Sequence, residues 1–182
     1  MKKIIRFGEM RNNFVYIFLN YFVNKIPFWT IRKGIYRLFG MRIGRGSRIM
    51  MRCVVLSPEN ICIGERTIIN EYCLIDGRGK LNIGNDCAIS NYSKLITGSH
   101  DYRNMNFKYI TDAIDIGNNV WVCTSAIITA PSNLHDMCVI GAGSVFHGEA
   151  KNKGIYVGNP AKLHRYRELN VFYKQNWSPY FR

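Results

Sequence analysis

An aliphatic residue returns at every sixth position over long stretches of this chain, a period that neither an α-helix nor a single strand produces. Helices repeat at about 3.6 residues and half-buried strands at 2. The pattern therefore predicts short strands joined by tight turns and wound into stacked coils, each buried against its neighbours. The residues concerned are Ile43, Ile49, Val55, Ile63, Ile69, Ile75, Ile83, Ile89, Leu95, Ile116, Val122, Ile128, Leu134, Ile140 and Phe146.

A small residue follows most of these aliphatic residues four positions later. One large and one small inward residue in every six fit the interior of a parallel β-helix, and glycine after Ile43, Ile63 and Ile83 suits tight turns. We therefore predict an all-β solenoid, a parallel β-helix of about five coils over residues 41–162. The small positions are Ser47, Cys53, Thr67, Cys73, Gly79, Cys87, Ser93, Val120, Ala126, Ser132, Cys138 and Ser144.

Three parts of the chain depart from the repeat. Residues 1–40 have a helical pattern broken at Pro27, which predicts an N-terminal helical cap made of two helices. Regularity also stops at about 97–113, and a loop of that length in a regular fold is usually functional or disordered. The C-terminal part, 163–182, is expected to form a short helix to about residue 176 and an aromatic tail.

The basic charge is concentrated at the N-terminus. Of a net charge of +13, residues 1–52 contribute twelve basic and one acidic residue. The apolar run 14–23 is shorter than the about 20 residues needed to span a bilayer, and it lacks the flanks of a signal peptide. Residues 1–40 are open to two interpretations: a cap that also contacts an anionic membrane surface, and a cap alone. No motif supports a nucleic-acid partner.

The six cysteines predict neither disulfides nor a metal site. Four of them occupy small inward positions, and no C-x-x-C pair occurs. Reduced thiols are typical of the cytoplasm. We therefore expect a cytoplasmic protein, peripheral at the inner face of the membrane if the N-terminal segment binds there, and no bound metal.

His100 is the side chain best placed for chemistry. His135 and His147 lie in or just after regular hexads and His164 in the closing segment, whereas His100 opens the long loop beside Asp101. A histidine there can titrate near neutral pH and reach a ligand held between coils or subunits. The alternative is an exposed loop histidine without a catalytic role.

Several motifs together resemble the hexapeptide-repeat acyltransferases. Within that superfamily the chain is most similar to the sugar O-acetyltransferases, including galactoside and maltose acetyltransferases and those that modify capsule and O-antigen polysaccharides. The match covers about residues 40–167. Besides the Ile-Gly hexads, the motifs are Ile-Thr-Gly-Ser-His-Asp at 96–101, Ile-Gly-Asn-Asn-Val-Trp at 116–121, Val-Ile-Gly-Ala-Gly-Ser at 139–144 and Gly-Asn-Pro-Ala-Lys at 158–162.

This resemblance implies a left-handed β-helix, a homotrimer with active sites between subunits, and acetyl-CoA as co-substrate. It implies that His100 is the general base that takes a proton from a sugar hydroxyl. Asn70 lies where the galactoside enzymes hold the acceptor sugar. Asp76 and Asp101 are expected as further contacts, to the acceptor and to the imidazole respectively.

On the donor side, the resemblance places Trp121 near the pantetheine arm of CoA. Backbone amides around Thr124 and Ala142 are expected to bind that arm, and one of them to stabilise the oxyanion. Lys162 and Arg165 are expected at the CoA phosphates. Plain structural roles remain open for Trp121 (packing), Asn70 (a ladder between coils) and Lys162 (a solvated surface residue).

The function expected from these residues is acetyl-CoA-dependent O-acetylation of a sugar hydroxyl in a cell-surface polysaccharide or its precursor. Two alternatives stay open: an acyltransferase that uses serine or an amino sugar, and a β-helix binding or scaffold protein without activity. The second is motivated by departures from the family pattern, such as Cys123 where relatives have glycine. Zinc chemistry of the γ-carbonic anhydrase type would need three converging histidines, and His100 alone is suitably placed.

Overall fold

The computed structural model describes residues 2–168 and 173–175, with side chains from Met10 onward. Two helices, α1 (Lys2–Ile17) and α2 (Trp29–Leu38), are joined by a π-helical turn (Phe18–Phe22) and a 3₁₀ turn (Val23–Lys25). A further 3₁₀ turn spans Pro58–Asn60. The strands are β1 (Arg42–Ile43), β2 (Arg48–Ile49), β3 (Val54–Leu56), β4 (Ile61–Ile63), β5 (Ile68–Ile69), β6 (Leu74–Asp76), β7 (Lys80–Ile83), β8 (Ala88–Ile89), β9 (Lys94–Ile96), β10 (Gly98–His100), β11 (Tyr109–Thr111), β12 (Ala113–Ile116), β13 (Trp121–Val122), β14 (Ile127–Leu134), β15 (Val139–Ile140), β16 (Val145–Ala150), β17 (Gly154–Gly158) and β18 (Ala161–Tyr166).

The strands wind into a parallel β-helix with three strands in each turn. First strands pair in the order β1-β4-β7-β12-β14, second strands in the order β2-β5-β8-β13-β15-β17, and third strands in the order β3-β6-β9-β14. β14 and β16 each bend across a corner and serve two faces. The left-handed β-helix is confirmed, with about six turns where about five were expected. Each turn has three corners, which we number first, second and third after the strand of that turn that they follow. The second corner thus follows β2, β5, β8, β13 and β15.

The aliphatic residues of the six-residue repeat form the core. All fifteen are at most 4% exposed. Because the strands pair in register, equivalent residues stack directly, as Ile49 does on Ile69 and Ile69 on Ile89. Each turn therefore buries its apolar side chains only against the turns before and after it.

Side chains at the small inward positions also donate hydrogen bonds to corner carbonyls. Cys53 Sγ donates to the Asn70 carbonyl at 3.0 Å, and Thr67 Oγ1 donates to the Gly84 carbonyl at 2.7 Å. A carbonyl buried at a corner would otherwise lack a partner. Serine, threonine and cysteine recur there because they combine small volume with a donor. The four inward cysteines are free and buried, as predicted: Cys53, Cys73, Cys87 and Cys138.

The N-terminal segment caps the first turn, whose strand edges have no preceding turn to pair with. Asn20 replaces a missing strand at Val55: its Nδ2 donates to the Val55 carbonyl at 2.8 Å, and its Oδ1 accepts the Val55 amide at 2.7 Å. Three basic side chains of α2 then donate to carbonyls of the same turn. The pairs are Arg32 with Ile49 (3.1 Å), Lys33 with Gly44 (3.0 Å), and Arg37 with Ile43.

Three of the basic residues near the N-terminus therefore have a structural role, because they bind carbonyls of the first turn. Arg32 is fully buried. Over residues 2–168 and 173–175, no helix combines the length and hydrophobicity required to cross a bilayer.

The irregular segment at about 97–113 leaves the third corner as a β-hairpin. Strand β10 pairs antiparallel with β11, and His100 lies opposite Tyr109. The amide of Asp101 donates to the Lys108 carbonyl at 2.9 Å, which closes the hairpin before its tip. The predicted excursion is therefore present, and it has regular structure of its own.

The prediction of a helix from residue 163 is wrong for residues 163–166. Strand β18 instead returns antiparallel along β17 and covers the free edge of the last second strand. That unpaired edge favours a strand over the helical propensity of the sequence. Residues 173–175 lie along the first corner, where the Tyr173 carbonyl accepts from Asn119 at 2.9 Å. The predicted tail, 177–182, lies outside the described residues.

Substitution of Leu95 tests the stacked core. Leu95 is fully buried, whereas the neighbouring Lys94 faces solvent. We expect Leu95→Ala to lower the free energy of unfolding by about 2–5 kcal/mol through lost burial and a residual cavity. Lys94→Ala, the matched control, should change it by no more than about 0.5 kcal/mol. Urea unfolding followed by circular dichroism measures both, and equal effects would contradict the proposed inward stack.

Candidate active site

His100 lies at the end of β10 with its ring held by two aromatic neighbours. Its imidazole stacks on Phe107, with ring centroids 4.1 Å apart and planes 6° from parallel. Tyr109 meets the ring edge-on at a centroid distance of 5.3 Å. The side chain is exposed. The ring is thus oriented by the hairpin itself and open to a ligand.

A backbone carbonyl determines which ring nitrogen of His100 can act as a base. The Nδ1 atom lies 2.8 Å from the carbonyl oxygen of Phe107. A carbonyl can only accept a hydrogen bond, so Nδ1 carries the proton in this contact. In the neutral ring Nε2 then has the free lone pair, the arrangement that a general base needs.

Asp101 does not bind the imidazole, contrary to the sequence prediction. Within the described part of the chain, its Oδ1 accepts the amide of Arg103 at 3.0 Å, and the Arg103 side chain lies at 3.8 Å. A carboxylate two residues before an amide closes a turn in this way. The contact predicted for Asp101 is made by the Phe107 carbonyl.

Asp76 is fully buried beneath the hairpin, at the end of β6. Its Oδ1 accepts the Nε and the backbone amide of Arg78, and its Oδ2 accepts Nη2 of Arg78 and the amides of Thr97 and Gly98, all at 2.9–3.2 Å. Burial raises the pKa of Asp76, but the Arg78 guanidinium and the amides outweigh it and hold the pKa below its usual value. With both oxygens occupied, the carboxylate does not offer the acceptor contact predicted for it.

Asn70 and Trp121 lie along the second corner. Asn70 Nδ2 donates to the Ile89 carbonyl at 3.0 Å, so the side chain bridges two turns as the structural alternative proposed. Among the described residues its Oδ1 has no partner. Trp121 is 45% exposed, and its Nε1 donates to Ser90 Oγ at 3.1 Å.

Thr124 and Ala142 follow on the same corner, Thr124 on the turn of Trp121 and Ala142 on the next turn. Both residues are exposed. Within residues 2–168 and 173–175, neither backbone amide has a hydrogen-bond acceptor, although the next turn's Gly143 amide donates to the Thr124 carbonyl at 3.0 Å. The second corner therefore presents two free donors in a row.

Lys162 and Arg165 lie on β18, at the far end of the solenoid. Lys162 pairs with Val157 and Arg165 with Ile155 in the antiparallel ladder, and both side chains are exposed. Lys162 continues the line of the second corner past the last turn, whereas Arg165 lies nearer the first corner, beside Ile155. Among residues 2–168 and 173–175, neither side chain has an ion-pair partner.

One chain does not bring these residues into one cluster. Asn70, Trp121, Thr124 and Ala142 lie along the second corner, whereas the hairpin with His100 leaves the third corner. A face of five or six residues at about 3.3 Å each separates adjacent corners by roughly 15–20 Å. The candidate site is therefore divided between two edges of the prism.

Other chemical groups do not form a competing site. Burial raises the pKa of Cys87 and of Cys138 to about 12, so neither thiol is a ready nucleophile. His135 binds Glu149 at 2.9 Å and His147 contacts Thr129. In the part of the chain that the structure describes, no three His, Cys, Asp or Glu side chains are grouped as metal ligands.

Sequence reasoning missed the residues that support His100. Phe107, Tyr109 and Arg78 surround the ring or the hairpin base, yet the first two look like ordinary loop aromatics in the sequence. No local pattern identified them: Tyr109 faces His100 through the hairpin register, and Phe107 precedes β11 with a left-handed backbone.

A left-handed β-helix is what the resemblance to hexapeptide-repeat acyltransferases implied. No family profile matches the chain. The protein WcaF of Escherichia coli (strain K12), named for acetyl transfer in colanic acid biosynthesis, is 29% identical over 136 residues, which cover 75% of each protein.

Two solved structures share the fold. A maltose O-acetyltransferase from Clostridium difficile 630 superposes with a TM-score of 0.81 at 23% identity, over 88% of each chain. A hexapeptide-repeat acetyltransferase from Vibrio cholerae, complexed with acetyl coenzyme A, gives 0.75 at 24% identity, over 81% of this chain and 82% of the other. The homologues and structural neighbours are hexapeptide-repeat acetyltransferases, so the predicted resemblance to that superfamily is confirmed, and the comparisons support the predicted enzyme class, an acyltransferase.

Proposed function

We propose that this protein is an O-acetyltransferase that moves the acetyl group of acetyl-CoA to a sugar hydroxyl of a cell-surface polysaccharide or its precursor. The observation that carries the proposal is the imidazole of His100, exposed and oriented with Nδ1 on the Phe107 carbonyl. Support for the donor comes from the neighbour complexed with acetyl coenzyme A, and support for the acceptor from the name of WcaF.

The chemistry needs one base and one donor to an oxyanion. Nε2 of His100 accepts the proton of the sugar hydroxyl while the hydroxyl oxygen bonds to the thioester carbonyl carbon. The resulting tetrahedral oxyanion is stabilised by backbone amides. When the C–S bond breaks, the imidazolium returns the proton to the CoA sulfur, and the products are the sugar acetate and CoA.

The second corner suits the donor in this scheme. The free amides of Thr124 and Ala142 can bind the amide carbonyls of a pantetheine arm laid along the corner, beside the exposed indole of Trp121. Lys162 and Arg165, past the last turn, would meet the phosphates at its far end. Asn70 Oδ1, at the opposite end of that line, is free to accept from an acceptor hydroxyl.

We propose that each complete site forms between two copies of the chain, as in a homotrimer. The support is the separation of His100, at the third corner, from the donor residues of its own second corner. A second copy placed with its second corner against this hairpin joins the two halves. A single copy then binds acetyl-CoA weakly and transfers nothing.

Replacement of His100 tests the base. We expect His100→Ala to lower kcat for acetyl transfer by about 10²–10⁴-fold, the usual contribution of general-base catalysis. CoA release is measured with a colourimetric thiol reagent, and light scattering checks the assembly. The control is His135→Ala, a histidine at the first corner, away from the hairpin and from the second corner. Full activity of His100→Ala in an intact oligomer would refute the role, whereas a wild-type protein that binds acetyl-CoA in calorimetry but releases no CoA would favour a binding protein.

A second proposal places the N-terminal segment against the inner face of the membrane. Phe14, Tyr21 and Phe22 are each more than half exposed. Arg11 and Lys25 lie on the same stretch, and neither is among the basic side chains that cap the first turn. An apolar surface flanked by basic residues is what anionic interfaces bind. Such contact would bring the enzyme to a lipid-linked precursor of a glycan.

Vesicle binding tests this placement. Phe14→Ser combined with Phe22→Ser should reduce sedimentation with phosphatidylglycerol vesicles by at least about tenfold, because burial of each ring is worth about 1.5–3 kcal/mol. Tyr102→Ser, at an 84% exposed residue of the hairpin, is the control. Unchanged sedimentation of the double variant would count against membrane contact. A weakened oligomer would instead assign this surface to a neighbouring subunit.

A further inference from the structure

We infer that Asp76 and Arg78 are positioning residues for His100, fixing the base of the hairpin and, through Tyr109, the orientation of the imidazole. The inference rests on the proposed function of His100 as the base. It assigns to Asp76 a role different from the acceptor contact that the sequence indicated. Neither residue touches the reacting atoms in this scheme.

The first link joins Asp76 to the start of the hairpin. Its Oδ2 accepts the amides of Thr97 and Gly98 at 2.9 and 3.2 Å, and its backbone carbonyl accepts Thr97 Oγ1 at 3.0 Å. These are the last residue of the coil and the first of β10. His100 follows two residues after Gly98, so a shift of these amides moves the imidazole directly.

The second link runs through side chains from Asp76 to the ring of His100. Arg78 binds both carboxylate oxygens through Nε and Nη2 at 2.9 Å each. Its guanidinium lies over the Tyr109 ring, 5.8 Å from the centroid, and Tyr109 meets the His100 ring edge-on. The bidentate pair prevents rotation of the guanidinium, and the guanidinium in turn supports one wall of the imidazole pocket.

Gly98 leaves the space that this arrangement needs. A β-carbon there would lie 2.4 Å from the Tyr109 hydroxyl and within about 3 Å of the Arg78 guanidinium. Tyrosine, arginine and the hairpin backbone are therefore in contact across a single glycine. The glycine accounts for a close approach, not for a left-handed backbone.

A second Arg–Asp pair in the same fold shows what distinguishes this one. Arg66 and Asp86 form an equally close bidentate pair, with both distances 2.7 Å, at the first corner. Arg66 and Asp86 are inter-turn partners twenty residues apart, and neither contacts the hairpin. Asp76 differs because its Oδ2 also accepts hydrogen bonds from the amides of Thr97 and Gly98, at the start of the hairpin. Loss of either pair perturbs a corner, but only loss of the Asp76 pair reaches His100.

The test compares Arg78→Gln with the matched variant Arg66→Gln. Arg78 is 40% exposed in its side chain, so its replacement leaves the core intact. We expect Arg78→Gln to lower kcat by about 10²-fold, the effect of a displacement of about 1 Å in a catalytic group, with the KM for acetyl-CoA unchanged. Arg66→Gln should leave kcat unchanged although it removes the same type of ion pair.

A readout independent of activity separates this inference from the proposed function. In ¹⁵N NMR of histidine-labelled protein, the His100 resonances, assigned by their loss in His100→Ala, should show protonated Nδ1. In Arg78→Gln they should shift toward a mixture of tautomers, and in Arg66→Gln they should not. If His100→Ala is fully active, the proposed function fails while the NMR comparison still decides the positioning role.

Several results would overturn the inference. Unchanged kcat and unchanged tautomer in Arg78→Gln would do so, as would equal losses in Arg78→Gln and Arg66→Gln. Should Arg78→Gln fail to fold, Tyr109→Leu interrupts the same chain of contacts at a 46% exposed hairpin residue. The same loss of kcat and the same change of tautomer are then required of it.

Discussion

The register of one turn upon the next is the constraint on which the rest of this structure depends. Strand pairing stacks each aliphatic residue on its equivalent in the adjacent turn, and small inward side chains donate to the corner carbonyls. A solenoid built this way is stable only while every turn has a neighbour. The two ends of the solenoid and the hairpin that interrupts it therefore need additional stabilising contacts. Residues outside the six-residue repeat make these contacts.

Those stabilising contacts account for sequence features that could be mistaken for functional ones. Asn20 and the basic residues of α2 satisfy the open edge of the first turn, so a basic N-terminus is partly a structural requirement. Strand β18 closes the other end. At the interruption, a buried carboxylate and its arginine hold the hairpin where it leaves the coil. Among the described residues, the exposed imidazole of His100 and the free amides of the second corner are not explained by these structural requirements.

The repeat could be predicted because its signal is local and recurs fifteen times, and the excursion could be predicted because it breaks that signal. The strand at residues 163–166 could not be predicted, because it forms on the free edge of β17, and that edge exists only in the folded protein. In the candidate site, the position of His100 followed from the sequence. The roles of Asp76 and Asp101 did not, because a carboxylate can bind a ligand, a turn amide or a buried arginine, and the sequence does not distinguish these. The support from Phe107 and Tyr109 depended on the hairpin register.

The central claim is that the imidazole of one copy acts beside the second corner of another. Co-expression of His100→Ala with Ala142→Trp, which obstructs the second corner, tests it most directly, because each variant damages a different half of the site. The account predicts that each variant alone is inactive and that mixed oligomers regain acetyl transfer, since some sites combine an intact hairpin with an intact second corner. Mixed oligomers that stay as inactive as the separate variants would contradict it and place the whole site within a single chain.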